Sequence, residues 1–307
     1  TFTNYVHRVY TSHKGVVYPL PINLGTINQF FGTDYSPDQA RALIHDQVSL
    51  VSVMAANNET GVLMPIGELA RLAHEQGALL HVDATQLVGK LPFDFARSGA
   101  DLVSVSAHKF NGPKGIGVLL VRQGLNWPAL FQGSQERARR GGTENLPAIL
   151  GFGVAAEQWS LSPEAWVTQA AAQAALRDQL EQGLLNQLPG TVVFGGLPAR
   201  LPNTSYLRFG MVHADVVLQR LDRMGVMASS GAACSSGGSE PSHVLTAMGV
   251  PREEALCAIR LSLSPDVTSD QITQLLACLS SELAPLMAAS SHTVSSPPLV
   301  SPPGVFA

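Results

Sequence analysis

Charge is scarce in this 307-residue chain: 14% of its residues are Asp, Glu, Lys or Arg, against about 25% in an ordinary soluble domain. Much of the surface is therefore expected to be neutral or covered by a partner. The 19 basic and 23 acidic residues leave a net charge of −4 and form no basic block. Nucleic acid and anionic membranes would find nothing to hold electrostatically. Cysteine is rarer still: Cys234, Cys257 and Cys278, with no CxxC pair, argue against a disulfide scaffold and against a zinc site. No apolar run approaches the roughly 18 residues of a membrane helix, and nothing at the start reads as a signal peptide. These absences leave a cytoplasmic α/β-sized protein, at the usual ~100–200 residues per domain about two domains long. The chain opens at Thr1 rather than Met and is expected to be a piece of a longer one.

The first two-thirds alternates short Val- and Leu-rich runs with amphipathic stretches, the pattern of βαβ units and a parallel sheet. Gln47–Ala55, Gly77–Asp83, Asp101–Ala107 and Val118–Arg122 read as strands buried on both faces. Pro65 and Gly77 bracket a helix of about three turns. Further helices are expected from Gly142 to Trp159 and from Pro163 to about Leu188. Beyond them, strands at Thr191–Phe194, Thr204–Phe209, Val226–Ser229 and Ile259–Leu263 alternate with helices at His213–Met224, Ser242–Met248, Arg252–Ala258 and Ser269 to about Met287. The division is thus a large domain over 1–160, a helix linker with a smaller α+β domain over 161–287, and a Ser/Pro-rich tail over 288–307 with the composition of disorder.

Lysine is confined to Lys14, Lys90, Lys109 and Lys114. Lys109 follows directly on a buried strand and precedes the turn Asn111-Gly112-Pro113-Lys114-Gly115. The carboxyl ends of parallel strands are where open α/β sheets place ligands, and partial desolvation there makes an amine nucleophilic. The bland alternative is a strand-end lysine reaching into solvent. The glycines after it form no Walker loop. Asp83 closes the neighbouring strand, where a carboxylate could hold the protonated ring nitrogen of pyridoxal phosphate or simply cap the next helix. Asn58, in Asn57-Asn58-Glu59-Thr60-Gly61, falls at the same edge one strand earlier. Three consecutive strands delivering Asn58, Asp83 and Lys109 to one rim outweigh the separate bland readings.

Cys234 lies among glycines and serines in Ser229–Pro241, a loop composition that leaves a thiol accessible. Cys257 and Cys278 fall in amphipathic helices, as small core residues do. Arg260 is a single charge in an apolar strand and needs a carboxylate, from the protein or from a substrate. Arg139-Arg140-Gly141-Gly142-Thr143 joins basic charge to a glycine turn and a helix start. It suits a phosphate as well as it suits a solvated turn.

Taken together, NNETG (57–61), HVDATQ (81–86), SAHKFNGPKG (106–115), RRGGTEN (139–145), SSGAACSSGGSEPSHVL (229–245) and IRLSL (259–263) strongly resemble the cysteine desulfurases, over about 16–287. These are dimeric pyridoxal-phosphate enzymes of the aspartate-aminotransferase-like fold, related to selenocysteine lyases. The extended cysteine loop resembles the class that feeds iron–sulfur cluster assembly. The resemblance implies that Lys109 is the Schiff-base lysine and that Asp83 partners the pyridine nitrogen. Gln86 and Asn58 would lie on the ring-hydroxyl side, Ser106 and His108 at the phosphate, and Thr143 at the phosphate of the neighbouring subunit's cofactor. Arg260 would hold the substrate carboxylate, with Asn58 beside it, and Cys234 would take the sulfur of L-cysteine as a persulfide for an acceptor or scaffold protein. It implies no metal, no nucleic acid and no membrane.

The family's phosphate-binding glycine/threonine turn and its ring-stacking histidine would precede Thr1, and neither His7 nor His13 matches that motif. The Ser/Pro tail has no counterpart in the family. A selenocysteine lyase, using nearly the same site, and an inactive dimerising or sulfur-relay fragment are the competing readings.

Overall fold

The computed structural model describes residues 9–13, 16–20, 37–159, 163–230 and 240–292. Two sheets organise it. The larger has six strands in the order β2-β1-β3-β4-β5-β6, formed by β1 (Val9–His13), β2 (Val16–Leu20), β3 (Val48–Met54), β4 (Leu79–Asp83), β5 (Leu102–Ser106) and β6 (Gly117–Val121). At its centre β3, β4 and β5 run parallel, as their continuous Val/Leu content predicts. Val51, Val53, Leu80, Val82, Val103 and Val105 are all buried.

The crossover between β3 and β4 carries a helix, Ile66–Glu75, which buries Leu69, Ala70, Leu72 and Ala73. Gly77, at φ 73°, turns the chain back in a conformation that glycine adopts without strain. Asp101, fully buried, ties the layers together: it accepts from the Leu80 amide at 2.7 Å and meets His74 Nε2 at 2.9 Å.

The flanks differ from the expectation of an all-parallel, doubly buried sheet. Strands β1 and β6 each pair antiparallel with their inner neighbour, and β6 is an edge. Val118 and Leu119 remain 37% and 46% exposed, because no further strand covers β6 among the described residues.

The second sheet, β7 (Thr191–Phe194), β8 (Thr204–Phe209) and β9 (Ala258–Ser262), is antiparallel throughout. Two long helices, Pro163–Gln187 and Ser269–His292, share its core. Leu180, Leu184 and Leu188 bury against Ile272, Leu276, Leu279 and Leu283. A Cβ on Gly183 would lie 2.5 Å from Leu276 Cδ1, so the helices approach closely only because that position lacks one.

Three sequence expectations change here. Val226–Ser229 is no strand: only Ser229 bridges, to Arg260, the preceding residues being spent on the turn out of the helix Ala214–Arg223. The closing helix continues to His292 rather than stopping at Met287, since Ala288 and Ala289 favour helix. By length and apolar composition its stretch Ser269–Ser290 could span a membrane. Ile272, Leu279 and Leu283 instead lie fully buried in the second core.

Candidate active site

The three parallel strands end level, Met54 pairing with Asp83 and Asp83 with Ser104. Hydrogen bonds from the Ala55 amide to the Asp83 carbonyl (2.8 Å) and from the Ala84 amide to the Ser104 carbonyl (3.0 Å) extend the alignment past the last residues. The segments leaving the three strands therefore start side by side, and on them stand Asn58, Asp83 with Gln86, and Ser106, His108 and Lys109. That is the rim expected from the sequence.

Beneath the rim, His81 spans three strands. Its Nδ1 shares a hydrogen bond with Ser52 Oγ at 2.8 Å and its Nε2 one with Ser104 Oγ at 3.1 Å. Burial holds the His81 imidazole below its ordinary pKa, against a smaller opposing pull from Asp83. Alternation puts the Asp83 side chain on the same face. One carboxylate oxygen of Asp83 accepts from the Thr85 amide at 2.9 Å, as a helix-capping aspartate would. The capping and the cofactor roles thus coexist.

Ser106 Oγ and His108 Nδ1 are 2.8 Å apart, on a single turn of 3-10 helix that presents His108 and Lys109 to solvent. Burial, and then the charges of Lys109 and Lys114, lower the His108 pKa. Phe110 anchors the turn edge-to-face on Phe152, with ring centroids 5.4 Å apart. Gly112 lets the chain double back over Ala107, whose Cβ a side chain there would meet at 2.8 Å.

Asn58 sits on a turn built by Asn57, whose Oδ1 accepts from the Glu59 and Thr60 amides at 2.9 and 3.0 Å. The second sheet reaches the rim through this turn: Arg260, on β9, donates to the Asn58 carbonyl at 2.6 Å. Behind it, buried Glu59 accepts from the hydroxyl of buried Ser242. The Tyr206 phenol lies close by, its pKa raised by burial and by the Glu59 carboxylate. Glu59, Ser242 and Tyr206 escaped the sequence reading, although a glutamate flanked by Asn58 and Thr60 in a strand-end turn was open to notice.

Lys90 was also missed, and its position corrects the expectation that Lys109 is the only lysine at the rim. Lys90 Nζ donates to the Gln86 carbonyl at 2.7 Å, and burial, then the charges of Lys109 and Arg260, bring its pKa down to about 8. Thr143 is exposed and lies apart from the rim residues, beside the apolar face of β6. Cys234 lies outside the described residues. Cys257 is buried, and burial raises its thiol pKa.

Comparison with known proteins agrees with this geometry. The class-V aminotransferase family profile matches residues 26–275. A cysteine desulfurase of Klebsiella pneumoniae is 46% identical over 242 residues, covering 78% of this chain and 60% of that protein. One of Azotobacter vinelandii is 43% identical over 267 residues, covering 87% and 66%. Among solved structures, a NifS-like protein superposes with a TM-score of 0.71 at 34% identity, over 81% of this chain and 65% of its own. Another, from Rickettsia africae, gives 0.69 at 31% identity, over 80% and 66%. The chain thus spans about 60% of the length of the first of these curated relatives.

Proposed function

The chain belongs to the class-V aminotransferase family, and from that premise we propose that it acts as a pyridoxal-phosphate-dependent cysteine desulfurase, converting L-cysteine to L-alanine. The observation that carries this reading is the convergence of Asn58, Asp83, Ser106, His108 and Lys109 on the level ends of three parallel strands, with Arg260 meeting them at Asn58. The donor set fits the cofactor chemically: an exposed amine for its aldehyde, a carboxylate for its ring nitrogen, and a hydroxyl paired with an imidazole for its phosphate. Asp83 has one oxygen engaged by Thr85 among the described residues, so its carboxylate is held in place yet open to a second donor. When bound, pyridoxal phosphate supplies an electron sink next to the substrate's amine nitrogen.

The chain's own residues do the rest. Lys109 Nζ would anchor the cofactor and, once displaced by the substrate amine, take the proton from the substrate Cα. Asp83 would keep the ring nitrogen protonated, with Gln86 and Asn58 on the ring-hydroxyl side and Ser106 and His108 at the phosphate. The planar fork of Arg260 would hold the substrate carboxylate, beside Asn58. The Cys234 thiolate would attack the substrate sulfur. The new S–S bond forms as the Cβ–S bond breaks, leaving a persulfide on Cys234 and, after protonation at Cβ, L-alanine. The persulfide then passes to an acceptor such as an iron–sulfur scaffold protein.

Residues 1–160 would form the cofactor domain and 161–287 the domain bringing Arg260. A homodimer, in the cytoplasm, would let Thr143 reach the partner's cofactor phosphate. The exposed apolar stripe of Leu146, Leu150 and Val154 supports such pairing.

The test is incubation with pyridoxal phosphate, gel filtration and a visible spectrum, followed by alanine and sulfur assays. A retained absorption band and alanine formed from L-cysteine support the reading. Retention of the cofactor with turnover of L-selenocysteine alone would replace it by a selenocysteine lyase. A chain that binds no cofactor when joined to the amino-terminal part its relatives carry would overturn it.

A further inference from the structure

Lys90 belongs to the turn that follows β4, and Lys109 to the turn that follows β5. Between them the backbone makes an unusually close approach. A Cβ built on Gly89, which sits at φ +80°, would lie 2.2 Å from Phe110 Cβ, so the two turns touch only because residue 89 has no side chain. The contact places Lys90 and Lys109 on the wall of one cavity, closed on its far side by Trp159 and Trp166, stacked at 3.4 Å, and by Gln173 and Asn203.

A lysine in such a place normally finds a carboxylate. Among the described residues Lys90 has none: its Nζ is hydrogen-bonded only to the Gln86 carbonyl and, at 3.4 Å, to Gln86 Oε1. The charges that act on it are those of Lys109 and Arg260, both positive. An unpaired, half-buried amine facing a cavity ringed by cations is suited to a small anion that also carries a group the amine can attack.

We propose that Lys90 is a second aldehyde-reactive amine of this site, able to hold an anionic aldehyde through a C=N bond within the cavity it shares with Lys109. The neutral Nζ attacks the carbonyl carbon, the carbonyl oxygen leaves as water with the two amine protons, and no electrons are exchanged. The negative group of the aldehyde is offset by Lys109 and Arg260. A pKa brought down to about 8 leaves a large share of the amine neutral near pH 8, where an ordinary lysine at ~10.4 is almost wholly protonated. The inference rests on the reading that Lys109 anchors the cofactor, and it gives the site two anchoring positions instead of one.

The experiment uses pyridoxal phosphate as the probe, borohydride to reduce any C=N bond, and mass-spectrometric mapping of the labelled lysines at pH 8. In the Lys109→Ala chain the expected label is on Lys90, exceeding that on exposed Lys114 by about tenfold or more. In the wild-type chain, label on Lys109 comes first and label on Lys90 appears at excess reagent, again ahead of Lys114. The wild-type arm decides the matter should the variant fail to fold. Label on Lys90 no greater than on Lys114 overturns the inference. Absence of label from Lys109 in the wild-type chain overturns the reading of Lys109 instead, whatever happens at Lys90.

Discussion

The rim at the ends of β3, β4 and β5 and the outer face of β6 belong to one sheet, yet they are finished to different degrees. At the rim, polar groups meet one another within the chain: Ser52, His81 and Ser104 are joined across three strands, and Asn57 satisfies the turn that carries Asn58. On β6 and the helix Leu146–Gln158 beside it, apolar side chains stand in the open. Leu146, Leu150 and Val154, four residues apart and so on one helical face, are each 59–62% exposed. The inner face of the same helix packs Phe152 on Phe110, next to Lys109. The first region is locally complete, whereas the second resembles half of an interface. Chemistry can thus be preorganised by the chain alone, while what steadies the helix behind Lys109 is left to whatever covers β6.

Four substitutions test that contrast. Lys109→Ala strikes the rim's anchor and proton carrier together, and should cut sulfur release from L-cysteine by about 10³-fold or more, measured by single-turnover alanine formation. Arg260→Ala should raise KM for L-cysteine by about 10- to 100-fold with a smaller fall in kcat, the mark of a lost carboxylate fork. An unchanged KM would remove Arg260 from substrate binding.

His81→Ala tests whether the rim really is self-sufficient. Losing its two hydrogen bonds should cost about 1–2 kcal/mol in urea unfolding. The pH dependence has a definite sign. Burial lowers the folded-state pKa of His81, so the unfolded chain takes up the proton first as pH falls. Its contribution is therefore complete above about pH 6.5 and is lost below it, and the decline should be shallower in the variant. The smallest stability effect belongs to the other region. Leu150→Asp should shift unfolding by no more than about 0.5 kcal/mol, yet should weaken self-association in analytical ultracentrifugation. A large destabilisation of the monomer would mean that the stripe is already covered within the chain.

The sequence made the rim legible because each of its residues ends a buried strand, and Val- and Leu-rich strands announce their own ends. The pairing direction of β6 was not legible: Gly117–Val121 is as apolar as its neighbours, and the antiparallel return depends on the tight turn at Gly112–Gly115. Lys90 stayed hidden for a related reason. Its turn and that of Lys109 touch through the missing side chain of Gly89, a contact between segments about twenty residues apart that no local pattern records. Arg260 could be picked out as a lone charge in a strand, but its meeting with the Asn58 carbonyl needed the two sheets to be docked. Glu59 and Ser242 likewise become partners only across that junction.

The level register of β3, β4 and β5 has a bearing on which length changes the chain can absorb. Residues added at the far ends of the crossovers, around Gln76–Gly77 or Gly99, change the sequence distance between Asn58, Asp83 and Lys109 without moving any of them, since each strand is placed by its neighbours. A single residue removed within β4 does the opposite. It turns Asp83 to the other face of the sheet while leaving its distance in sequence from Lys109 unchanged. Relatives of this chain can therefore drift in spacing at one edge of the sheet and must keep count at the other.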